Sequence, residues 1–95
     1  MRIRLSESFN AKLKDQVRYI SKDKPGASRK FKTDLMSRIG EIPLMPFKNR
    51  KSIFFNDEEI RDLIFKGYII TYLINKDENF IDVFGFTKYK ENPFE

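Results

Sequence analysis

The stretch Glu59-Ile60-Arg61-Asp62-Leu63-Ile64-Phe65-Lys66-Gly67-Tyr68-Ile69-Ile70-Thr71-Tyr72 decides the fold, because two apolar runs meet there at a Lys-Gly pair. Strand-forming runs separated by two residues, one of them glycine, predict a tight β-hairpin. Ile60 to Phe65 is its first strand and Tyr68 to Ile74 its second. The second strand is apolar on both alternating faces apart from Thr71, so it belongs in the middle of a sheet. Asn75-Lys76-Asp77-Glu78-Asn79 then separates it from Phe80 to Thr87, a further antiparallel strand by the length of the connection.

Upstream of the hairpin, Ser52 to Phe55 is a short apolar strand candidate stopped by Asn56-Asp57. Pro43 to Lys51 is a turn-rich connection carrying Lys48, Arg50 and Lys51. Before it lie two helical patterns. Phe9, Leu13, Val17 and Ile20 recur at helical spacing, with Ser6 or Ser8 able to cap the amino-terminal end and Glu7 suited to its positive pole. Phe31, Leu35, Ile39 and Ile42 form a second stripe, opened by Pro25 and closed before Pro43, which has no amide to donate. Ser21 to Lys24 joins the two as an antiparallel helical hairpin. Met1-Arg2-Ile3-Arg4-Leu5 alternates with a period of two, the pattern of a half-buried strand. The expected architecture is therefore α+β, one domain over residues 1–95: an amino-terminal strand, a two-helix hairpin, then a three- to four-stranded antiparallel sheet that buries the helical stripes.

The chain has 95 residues, no cysteine and no histidine, which excludes disulfides, zinc-thiolate sites, thiol nucleophiles and a histidine base. No cofactor or metal is expected, a carboxylate-only magnesium site being the one arrangement the composition leaves open. The alternating amino terminus is not the apolar core of a signal peptide, and the apolar runs fall short of a membrane span, so a cytoplasmic protein without membrane contact is expected. Charge is uneven: residues 1–51 hold 14 Lys/Arg against 5 Asp/Glu, and residues 52–95 hold 5 against 9. The basic half suggests an anionic partner, a nucleic acid or an acidic protein segment.

Together with the helical segments, the hairpin resembles the RelE/ParE superfamily of bacterial toxins. There an arginine opening a strand is followed by an apolar run, a short turn, Tyr-Arg, two apolar residues and Tyr. Arg61 and Leu63 match the opening, and Tyr68 and Tyr72 the second strand. Ser6 to Tyr19, Lys24-Pro25-Gly26-Ala27 and Lys30-Phe31 are similar to the helical hairpin typical of the ParE side. The resemblance spans nearly the whole chain. It implies a type II toxin, closer to ParE, that stops growth by binding DNA gyrase and is neutralised by a cognate antitoxin. Ile69 stands where many relatives carry an arginine that, in the ribonuclease branch, holds the cleaved phosphate. A RelE-type ribosome-dependent mRNA endonuclease and a non-toxic interaction module with the same fold are the rival readings.

Metal-independent RNA cleavage needs a base, an acid and cationic donors for the phosphate. Here only lysine, arginine, tyrosine and carboxylates could supply them; the carboxyl-terminal Lys88-Tyr89-Lys90 is the best available cluster, with Arg61 and Lys66 as candidates on the same sheet, while Asp62 and Asp82 oppose a phosphate on those strands. For partner binding the candidates are Arg50, Lys51 and Arg61 by charge and Phe94 as an apolar anchor after Pro93. Phe47, Phe54, Phe55, Phe84, Phe86 and Phe94 are more phenylalanines than so small a core easily holds, so an exposed aromatic patch is expected.

Overall fold

The hydroxyl of Ser6 accepts a hydrogen bond from the Phe9 amide at 3.0 Å, which starts helix α1, Glu7–Ser21. Pro25 opens helix α2, Pro25–Gly40, and Ile42–Leu44 continues as a single 3₁₀ turn around Pro43. This computed structural model describes residues 1–88. The strands are β1 (Arg2–Leu5), β2 (Arg50–Lys51), β3 (Ile60–Phe65), β4 (Tyr68–Asn75) and β5 (Phe80–Lys88), in the spatial order β1-β5-β4-β3-β2. The four strands that follow the helices are mutually antiparallel, and β1 joins the same sheet parallel to β5. β4 is the central strand, as its two-sided apolar pattern requires.

The β3–β4 connection is the two-residue turn that the Lys-Gly pair predicts: Phe65 pairs with Tyr68, and Lys66 and Gly67 both have positive φ, 47° and 82°. Two consecutive left-handed residues make a type I′ turn, whose twist matches that of the flanking strands. One face of the sheet carries Leu63, Phe65, Ile70, Tyr72, Ile74, Ile81, Val83 and Phe86 into a core shared with Phe9, Leu13, Phe31, Leu35 and Ile39 of the helices. Five rings knit the layers together. Phe31 meets Phe65 at 5.5 Å and Tyr68 at 5.3 Å, Tyr68 stacks on Phe86 at 5.0 Å, and Phe86 meets Phe9 edge-on at 5.9 Å. Each buried phenylalanine contributes about 1.5–3 kcal/mol by burial alone.

The expected strand over Ser52 to Phe55 does not form. The ladder to β3 ends with the Ser52 amide donating to the Ile60 carbonyl at 2.8 Å. Beyond that point side chains capture the backbone: the Ile53 amide donates to the Asp62 carboxylate at 3.0 Å and the Phe54 amide to the Ser52 hydroxyl at 3.2 Å. The chain turns instead, and Phe55 crosses the outer face of the sheet to meet Phe84 at 5.7 Å. Of the surplus phenylalanines, Phe86 is core, whereas Phe47 and Phe55 keep much of their surface in water. Phe94 lies outside the described residues.

Candidate partner-binding surface

At the β2 edge, Arg50, Lys51 and Arg61 come together, since Arg50 pairs with Asp62 and Lys51 with Arg61 across the ladder. Each is already matched by a carboxylate. Arg50 lies 3.6 Å from buried Asp62, Lys51 lies 3.5 Å from Glu58, and Arg61 lies 3.2 Å from the same Glu58. Arg61 also donates to the carbonyls of Glu58 at 2.8 Å and Asn49 at 3.2 Å, and its guanidinium covers the Phe47 ring at 4.9 Å. These cations are fastened to the protein's own oxygens and hold the loop before β2 in place.

Lys66 and Lys88 sit at the opposite end of the sheet. Five residues of extended chain separate Arg61 from Lys66, about 16 Å at strand rise. Lys66 reaches Asp34 of α2 at 3.5 Å, and Lys88, opposite Tyr68, lies over the Tyr19 ring at 5.5 Å. Both therefore turn toward the helices. Ile69 faces the other way, flanked in register by Ile64 and Thr87 and only 2% exposed. No described cation neighbours it across the ladder, so Arg61, Lys66 and Lys88 do not converge on its position. Tyr89 and Lys90 lie outside the described residues. The two aspartates on the outer face are likewise engaged: Asp62 accepts from the Thr71 hydroxyl at 2.9 Å, and Asp82 accepts from Arg4 at 2.6 Å. Arg4 and Asn75 hold the Asp82 carboxyl below the ordinary aspartate range, with Arg4 the stronger cause.

The helical hairpin presents a different surface. Leu5, Leu13, Val17 and Met36 line a groove of about 450 Å³ rimmed by Asn10, Lys14 and Lys32. Among the described residues Lys14 and Lys32 have no ion-pair partner, nor do Lys12, Lys22, Lys24 and Arg29 on the same two helices and their connection. The uncompensated positive charge thus gathers on the hairpin, beside an apolar channel. The sequence pattern singles out Arg50, Lys51 and Arg61 as candidate binding cations and does not single out Lys14, Lys32 or Met36, which the fold brings together at this groove. Met36 adjoins the Leu35 stripe and sits four residues after Lys32, a spacing that extends the apolar face toward a cation. Among the described residues no cluster of carboxylates could hold a metal ion, and no helix is long and apolar enough to cross a membrane.

A strand, a helical hairpin and an antiparallel meander with the first strand closing parallel on the last is the architecture of the RelE/ParE superfamily. The sequence matches the family described as the ParE toxin of the type II toxin-antitoxin system, parDE, over residues 3–93, and the chain belongs to that family. A search of curated proteins finds no match.

Proposed function

We propose that this ParE-family chain arrests growth by binding its target, DNA gyrase, without cutting RNA, and that a cognate antitoxin neutralises it. The observation that carries the absence of RNA cleavage is Ile69, while gyrase as the target rests on the likeness to the ParE side of the superfamily. At the position where ribonuclease relatives hold a phosphate with arginine, this chain buries an isoleucine between Ile64 and Thr87, while Lys66 and Lys88 turn to the helices. Cleavage without a metal needs several groups around one phosphate. Supercoiling by purified gyrase tests the reading, and half-inhibition is expected at a defined toxin concentration. Full supercoiling at saturating toxin would remove gyrase as the target. Codon-dependent cuts in ribosome-bound transcripts, mapped by primer extension and abolished by changing Lys88, Tyr89 and Lys90, would favour the endonuclease.

The antitoxin half rests on the groove between α1 and α2. An acidic amphipathic segment fits there, with its apolar side on Leu13, Val17 and Met36 and its carboxylates toward Lys14 and Lys32. Such a segment orders as it binds. Charge chiefly sets the association rate and apolar anchors the dissociation rate. Lys14→Glu with Lys32→Glu is expected to slow association and flatten its salt dependence, and Met36→Asp to speed dissociation. Phe94 is proposed as a further anchor, tested by Phe94→Ala in the same measurement.

A further inference from the structure

We propose that a second docking site, made by the end of α2 and the loop that follows it, receives the target: a protein segment that inserts one bulky apolar side chain flanked by carboxylates. This rests on the reading of the chain as a toxin that acts by binding. The site is a cavity of about 260 Å³ between the end of α2, the 3₁₀ turn and β3. Buried Ile42 and Leu63 line it, together with Leu44 and Met45, and Arg38 and Lys48 stand on its wall. Leu44 is 81% exposed and Met45 63%, an apolar lip left open to water.

Two features distinguish this lip from an idle surface loop. The first is rigidity. The Leu44 amide donates to the Glu41 carbonyl at 3.1 Å, Met45 to Ile42 at 3.2 Å and Lys48 to Met45 at 3.0 Å. From beneath, buried Tyr72 donates its hydroxyl to the Pro46 carbonyl at 2.6 Å and accepts from Asn49 at 3.1 Å. An apolar lip pinned in this way loses little entropy when it docks. The second is charge. Arg38 and Lys48 have no ion-pair partner among the described residues, in contrast to Arg50, Lys51 and Arg61 close by in sequence or sheet. Glu41 is the one acid on the cavity wall, so the rim is net positive. An apolar lip of this kind suits a protein side chain better than a phosphate backbone, which calls for cations without exposed leucine and methionine.

The site is also separate from the helical groove. At roughly 100° per residue, Arg38 lies about 160° round α2 from Met36, on the other side of the helix. An antitoxin segment in the groove and a target on the lip would therefore occupy different faces.

The test is the double variant Leu44→Asp, Met45→Asp, whose side chains are exposed and whose thermal midpoint should match the wild type. Three readouts are taken: growth arrest on titrated expression, supercoiling by purified gyrase, and the Kd for the product of the neighbouring antitoxin gene. At least about tenfold more variant is expected to be needed for arrest and for half-inhibition, with the antitoxin Kd changed less than about twofold. Arrest at the wild-type dose would overturn the proposal, as would a parallel loss of antitoxin binding, which would give the lip to the antitoxin. If only the pair Arg38→Glu, Lys48→Glu lost arrest, the occupant would be a nucleic acid and the proposal would fail. Wild-type toxin that arrests growth yet spares gyrase removes the gyrase assignment alone, since the growth readout still decides the lip. Wild-type toxin that does not arrest growth removes both.

Discussion

Asp62 shows how one side chain determines the path of a whole segment. Its carboxylate, shielded from water, accepts from the Thr71 hydroxyl and the Ile53 amide and faces Arg50. Replacing it with alanine leaves the two donors without their acceptor, so Asp62→Ala is expected to cost about 2–3 kcal/mol in urea unfolding. Asp62→Asn, which keeps one acceptor oxygen, should cost less, and equal losses would assign the effect to packing. Gly85 is constrained in another way. A Cβ there would stand 2.8 Å from that of Thr71, next to the irregularity where the β4–β5 register shifts. The strands cannot part without opening the ladder, so Gly85→Ala is expected to destabilise by about 1–3 kcal/mol, read as a lower thermal midpoint. Neither role was legible in the sequence. Asp62 read as a strand carboxylate hostile to phosphate, because its donors, nine residues away on either side, meet it only once β2, β3 and β4 are aligned.

Elements fixed by local chemistry were legible; those fixed by distant partners were not. The helices begin and end where Ser6, Pro25 and Pro43 direct, and the Lys66-Gly67 pair sets the β3–β4 register. By contrast, Ser52 to Phe55 has strand composition but turns away, because Asp62 and Ser52 compete for its amides. The hairpin turn yields its own prediction. Lys66 holds φ at 47°, a region where a long side chain gains nothing and asparagine is at ease. Lys66→Asn creates the Asn-Gly pair that type I′ turns favour, and the exposed contact with Asp34 it gives up is worth little. The variant is expected to be more stable by about 0.5 kcal/mol, seen as a higher urea midpoint with an unchanged slope. A fall in stability would show that the Asp34 contact outweighs the turn.

Among the described residues charge is unevenly paired: Arg50, Lys51 and Arg61 at the β2 edge have internal carboxylate partners, while most cations of the helical hairpin, Lys30 and Arg18 apart, have none. Half of this was legible, since the basic amino-terminal half is plain in the sequence but the pairing of Arg50, Lys51 and Arg61 depends on sheet register. The Arg4–Asp82 pair joins the first strand to the last across 78 residues, with Glu78 and Asn75 adding to it and the Arg4 guanidinium lying 3.9 Å over the Phe80 ring. Because Arg4, then Asn75, lowers the Asp82 carboxyl in the folded state, its stabilisation is complete above the ordinary aspartate value of about 3.9 and fades as pH falls through the lower folded value. Asp34 is shifted the same way, first by Lys30, but in open solvent where screening leaves it little weight. Asp82→Asn should therefore be less stable than the wild type near neutrality, and the gap should close below about pH 4. Urea midpoints taken stepwise from about pH 7 to about pH 2.5 measure that gap. A constant difference across the range would mean that Asp82 acts through shape and hydrogen bonding alone, and that β1 is held to β5 by its backbone ladder and the burial of Ile3 and Leu5.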